Sequence, residues 1–228
     1  MGDVATVLAF REEYRKKNIG PHYRGWPHFA FTTCGSLAVI AFAVAHVHAV
    51  RPAEWIVLPL ALLIANAGEY FGHKGPMHRP VRGMTILFQR HTREHHRFFT
   101  NEMMSYESSR DFKMVLFPPV MLLFFLGALA TPIALLFASA SANAGWLFVS
   151  VAMGYFLTYE WLHFAYHLHL GSWVGRLPFV KRLRQHHMLH HDPALMGRYN
   201  FNITFPVCDR IFGTASKARA KARGTAGA

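Results

Sequence analysis

Four stretches of the chain, about 29–50, 53–70, 115–138 and 144–166, run almost without polar interruption, and none contains Lys or Arg. Each is close to the roughly 20 apolar residues with which an α-helix crosses the hydrocarbon core of a bilayer. They read as two helical hairpins with short outer turns at Arg51-Pro52 and Ser139–Asn143. Pro118, Pro119 and Pro132 are expected to kink the third span, which packed neighbours tolerate. Ahead of the first span, Val4–Phe10 is apolar and Arg11–Lys17 is charged, which suits an interfacial helix. Acidic residues accompany the basic ones and no small-residue cleavage site follows, unlike a secretory signal. The predicted fold is all-α: four transmembrane helices in two hairpins, with a histidine-rich helical cap. Residues 1–28 form the interfacial segment, 29–214 the membrane domain, and 215–228 a basic, disordered tail that can touch anionic lipid.

The composition agrees with a membrane protein and excludes a disordered or fibrous one. Hydrophobic residues make up 52% of the 228 and charged residues 16%, too apolar for a chain that stays unfolded. Two cysteines, Cys34 and Cys208, are too few for a disulfide framework. A net charge of +12 would suit nucleic acid or an anionic surface. Its distribution decides against nucleic acid, because Arg51 is the single Lys or Arg on one side of the four-span topology. By the positive-inside rule the charged side, with both termini and the cap, is cytoplasmic. Trp55 and Trp146 open spans two and four from the far side, and Trp26, Trp161 and Trp173 lie toward the near side, as in aromatic belts.

The candidate chemistry lies in sixteen histidines, twelve of them on the near side of spans two and four. They are grouped: His73 and His78; His91, His95 and His96; His163 and His167; His186, His187, His190 and His191. Residues four apart on a helix share a face, so His163 and His167 can hold one ion. Glu160 and Glu69 stand three and four residues before His163 and His73, placed to accept a spare ring N–H and set its tautomer. Such a role accounts for two carboxylates at a membrane boundary, where unpaired acids are costly. Asp192 and His186, beside the last group, are further candidates for that supporting role. Adjacent residues diverge by about 100° on a helix. One member of His95-His96 and of His190-His191 therefore joins the histidine three or four residues earlier, and the other faces elsewhere. Ten imidazoles are too many for one ion and suit two. His22, His28, His46, His48 and His169 read as ordinary hydrogen-bonded polar residues. A solvated pH-sensitive run or a loose zinc-binding tract would show irregular spacing within one segment, whereas these groups recur at the ends of two hairpins.

The motifs resemble those of the fatty acid hydroxylase / sterol desaturase superfamily of integral membrane di-iron enzymes. That pattern is H-x(4)-H, H-x(2–3)-HH, H-x(3)-H and H-x(2)-HH. It matches His73 and His78; His91, His95 and His96; His163 and His167; and His187, His190 and His191. His186 is an alternative to His187 by spacing. Tyr199–Thr214 is also similar to the segment that closes these domains. The resemblance implies two iron ions, for which zinc can substitute in purified protein. It also implies O₂ as co-substrate, a membrane lipid as substrate, and electrons from a separate cytochrome b5-like or ferredoxin-type protein. A fused haem domain is not expected, since the His-Pro-Gly-Gly segment is missing. The expected reaction is hydroxylation of a fatty acyl or sphingolipid-like chain, with a second hydrogen removal giving an alkene instead. The rivals are a sterol desaturase/oxidase, a carotenoid hydroxylase, and a non-catalytic membrane metal-binding protein. A carrier would place polar ligands near the bilayer midplane. Tyr159, Tyr166, Asn200 and Asn202 are nearby polar residues. Arg90, Arg93, Arg97, Arg182 and Arg184 could dock an acidic electron carrier, bind a lipid phosphate or simply enforce topology. The small size is that of a minimal enzyme of a bacterial inner membrane.

Overall fold

The structure, a computed structural model, describes residues 4–216. The expected basic tail therefore lies outside the described residues except for Ala215 and Ser216. Both are tied down, Ala215 N–H to the Asp209 carbonyl and Ser216 N–H to Asn200 Oδ1.

Every regular element described is helical. Helix α1 (Val4–Asn18) leads into α2 (Gly25–Ala45), then α3 (Val57–Gly72), which continues as a π-wound turn, His73–Met77. Next come α4 (Thr85–Phe88), a second π-wound segment, Gln89–His95, and α5 (His96–Phe98). Helices α6 (Phe112–Val115), α7 (Val120–Phe124) and α8 (Thr131–Ala138) form one broken rod. The expected proline effects are visible there. Leu116 turns extended ahead of Pro118-Pro119, and Pro132 sits in the first turn of α8 behind a third π segment, Phe125–Ala130. Helices α9 (Ala142–Tyr166), α10 (Pro178–His190) and α11 (Val207–Ile211) are the last among the described residues.

Among the described residues three helical stretches, not four, are long and apolar enough to cross a membrane: Gly25–Ala45, Pro52–Met77 and Ser109–Ala138. The fourth expected span corresponds to α9, whose polar positions Asn143, Ser150, Thr158, Glu160 and His163 dilute its hydropathy. The reason is its place in the fold. Fifteen of its 25 residues are buried, so α9 is the post around which α2, α3 and α8 pack. A helix sheathed by protein can carry polar groups that a lipid-facing one cannot. The outer helices turn apolar residues outward instead, with Leu123, Leu135 and Leu136 about two-thirds exposed or more. Phe148, Met153 and Phe156 of α9 form the centre of the core with Ala61 and Leu122.

One polar and one steric feature hold this arrangement. At the outer turns, buried Glu54 accepts from the Arg51 backbone and guanidinium, Ser141 and Asn143, while Asn143 also pairs with the His48 backbone. Close approach of α8 and α9 depends on Gly145, where a Cβ would meet Ala138 Cβ at 2.8 Å and the Ala134 carbonyl oxygen at 3.0 Å.

Candidate metal centre

The histidine groups converge beyond the ends of α3 and α9, and the helix type decides which of them meet. A π-helix bonds residue i to i+5, bringing residues five apart onto one face, and such turns recur at functional sites. His73 opens and His78 follows one such turn, which is kinked at non-helical Gly75, while His91 lies within the other and His96 directly follows it, so each five-residue spacing closes on a single point. Donor atoms of His73, His78, His91, His96 and His190 lie within 4.8 Å of one another. A second set, His95, His163, His167 and His187, obeys the same limit. His191 adjoins that set, its Nε2 3.0 Å from His187 Nε2 and 3.2 Å from His95 Nε2. The structure thus gathers all ten histidines of the four motifs around two points, five at one and four at the other with His191 alongside. His91 pairs with His96, not with the residue three or four away that α-helical winding suggests. Of the two alternatives in the last motif, His187 faces the cluster. His186 turns away to the Asn202 carbonyl and Asp209.

Ring tautomers show what these points can hold. His73, His95, His167, His190 and His191 each direct Nδ1 at a backbone carbonyl, of Phe201, Met114, Met104, Tyr199 and Phe99 respectively, at 2.5–3.0 Å. A carbonyl only accepts, so Nδ1 carries the proton and Nε2 of the neutral ring is a bare lone pair. Bare nitrogens then face each other, as His95 and His191 do at 3.2 Å. They cannot hydrogen-bond, and a cation between them removes the repulsion. The spacing suits one: ligand atoms about 2.1 Å from an ion and about 90–110° apart are separated by roughly 3.0–3.4 Å. Burial keeps the rings neutral, reinforced by neighbouring imidazoles. It holds His91, His96, His167, His187, His190 and His191 well below the usual histidine range and pushes His78 down to about 2. Burial, with Arg90 nearby, lowers His95 to about 4. The donor set fits two metal ions.

The carboxylates work one step further out than their spacing suggests. Glu69 accepts from Tyr155 Oη, Thr204 Oγ1 and the Ile203 and Thr204 backbone at 2.5–3.1 Å, and from Asn202 Nδ2 at 3.2 Å. It therefore anchors the segment whose Phe201 carbonyl orients His73, and does not itself meet the ring. Glu160 accepts the Phe117 N–H at 3.3 Å, and Asp192 caps its own turn through the Ala194 N–H. Asp209, not singled out by sequence, receives the Phe201 and Asn202 N–H groups. Its only sequence signal is an acid within the closing segment. Asn200 takes a positive φ and binds the His186 carbonyl, and Tyr166 bonds the Ile203 carbonyl, so both are framework. His28 bonds Tyr23 and the Phe117 carbonyl, as an ordinary polar residue does.

An apolar cleft of about 370 Å³, bounded by α3, α7, α8 and α9, reaches Glu69 and His73. A second pocket of about 210 Å³ lies against His91, His95 and His163. Met77, Leu87, Phe117, Met121 and Tyr159 line both, so one apolar wall runs from the helix bundle to the imidazoles. Among the candidate arginines, Arg184 is buried against the Leu168 carbonyl, and Arg90 bonds Tyr14, Glu94 and the Lys113 carbonyl. Arg97 and Arg93 lie over Phe10 and Phe88.

A membrane-scale helical bundle with two imidazole clusters at one end, of five and of four with His191 alongside, defines a class of membrane protein equipped to hold two metal ions. The fatty acid hydroxylase family model matches residues 58–214. The chain belongs to that family, within the fatty acid hydroxylase / sterol desaturase superfamily, whose members are typically oxygen-dependent oxidoreductases. Comparison with curated proteins and with solved structures gives no match.

Proposed function

We propose that the protein is a membrane oxygenase that hydroxylates a C–H bond of a fatty acyl or sphingolipid-like chain. The observation that carries this reading is the junction of an apolar cleft with inward-facing, unprotonated Nε2 atoms. Bound iron ions supply the reductive activation of O₂ and the removal of hydrogen from an unactivated carbon. One oxygen atom goes to the lipid and the other to water, with two electrons and two protons from a separate, cytochrome b5-like or ferredoxin-type donor. The chain's own residues hold the ions, keep the imidazoles neutral and orient the substrate. Ala152, Met153 and Phe156 of α9 guide an alkyl chain along the cleft, and Tyr159 stands where the two pockets meet. The apolar lining excludes water from the reacting carbon. The basic end faces the cytoplasm of a bacterial inner membrane in this reading, where an acidic carrier docks.

Lipid mass spectrometry of cells expressing the wild type or the His163→Ala, His167→Ala double variant at matched levels tests the reading. A lipid heavier by one oxygen, labelled from ¹⁸O₂ and present with the wild type alone, is expected. A lipid lighter by two hydrogens moves the assignment to a desaturase, and an oxidised sterol or carotenoid to those substrate classes. Identical lipids, with donor present and metal bound, favour a non-catalytic metal-binding protein.

A further inference from the structure

Helix α1 precedes the residues matched by the family model, yet its Arg11 is among the most completely buried side chains described. The guanidinium is used as a clamp on the loop after α5. Nε donates to the Phe98 carbonyl at 2.7 Å and Nη2 to the Met103 carbonyl at 2.7 Å. Nη1 reaches the Ser105 carbonyl at 3.2 Å and Glu107 at 2.8 Å. The rings of Phe98 and Phe99 lie 5.0 and 5.3 Å from the guanidinium carbon.

The register of these contacts is informative. The carbonyls that immediately follow the two best-held ones are those of Phe99 and Met104, and they orient His191 and His167. Both histidines belong with the second group. The first group takes its orienting carbonyls, Phe201 and Tyr199, from a different segment, held by Asp209 and Glu69. Beyond the shared segment His91–His96, each metal position thus has its own set of orienting carbonyls. A rigid fork satisfying several separate acceptors is not replaced by a lysine ammonium.

We propose that Arg11 is a positioning residue for the second metal position alone, so that α1 governs the affinity of one ion and leaves the other unaffected. This rests on the two-ion reading above. The test is anaerobic titration of the purified full-length protein with ferrous iron against a competing chelator. The wild type binds two irons. Removing an outer partner of a ligating histidine typically weakens metal affinity about 10–100-fold, and Arg11→Lys is expected to do so at one position. Asp209→Asn is expected to weaken the other. Assignment comes from pairing each variant with a broken group. With His190→Ala, Arg11→Lys weakens the remaining iron, and with His163→Ala it leaves the remaining iron unchanged. Glu107→Gln, which loosens the clamp without removing it, gives the same selectivity at smaller amplitude should Arg11→Lys fail to fold. Equal weakening at both positions, or none at either, overturns the proposal. A wild type that takes fewer than two irons overturns the two-ion reading itself.

Discussion

Ten imidazoles confined in a protein interior resist protonation, because burial and their neighbours both disfavour the charged form. Their lowered proton affinities give the effect on stability a sign. A folded-state value below the ordinary 6.5 means that the unfolded chain binds more protons than the folded one, so stability rises with pH across that interval. The metal-free protein is therefore expected to lose stability as pH falls below about 6.5, and to go on losing it toward about 4, where His95 titrates. Thermal unfolding of chelator-treated protein in detergent, followed between about pH 7.5 and pH 5, checks this, and a flat midpoint contradicts it. The ten histidines were legible in the sequence because residue type and spacing announce them. Their division between two points was not, because it depends on the kinked turn His73–Met77 and on π winding at Gln89–His95. The roles of Glu69 and Asp209 were hidden for a similar reason: Glu69 holds a segment 134 residues away, and Asp209 holds the Phe201 stretch, whose carbonyl meets a histidine 128 residues earlier.

Among the elements, α9 is the one the hydropathy pattern describes least well. Its length and apolar character are plain, but its enclosure by α2, α3 and α8 is a property of the packed bundle. Enclosure makes α9 sensitive to volume. Gly145→Val puts branched carbons against the Ala134 carbonyl and Ala138, where backbone must give way. Overpacking of this kind costs about 1–3 kcal/mol. A lowered unfolding midpoint with the iron content of the folded protein unchanged is expected. An unchanged midpoint would show that α8 and α9 approach less closely than described. Helix α1 has a different status, since its amphiphilic sequence reads as a surface segment. Arg110 and Lys113 close on the Ile19 and Asn18 carbonyls, and Arg15 pairs with buried Asp111. These contacts fasten α1 to the polar cap.

In the whole molecule, cleft and metal centre are separable parts with one shared boundary. Filling the cleft should abolish product without touching the metals. Ala152→Phe is expected to shorten the accepted alkyl chain or to end turnover, with iron content unchanged, as read by product analysis and metal assay on the same preparation. Wild-type turnover with every chain length would place the substrate elsewhere. The single measurement closest to the central claim is the number of iron ions per chain in purified protein from iron-supplemented cells. Two per chain is the expected count, falling to one in the His95→Ala, His191→Ala double variant. A wild type with neither iron nor zinc, or with a metal count that this variant leaves unchanged, would contradict the assignment of ten imidazoles to two metal ions.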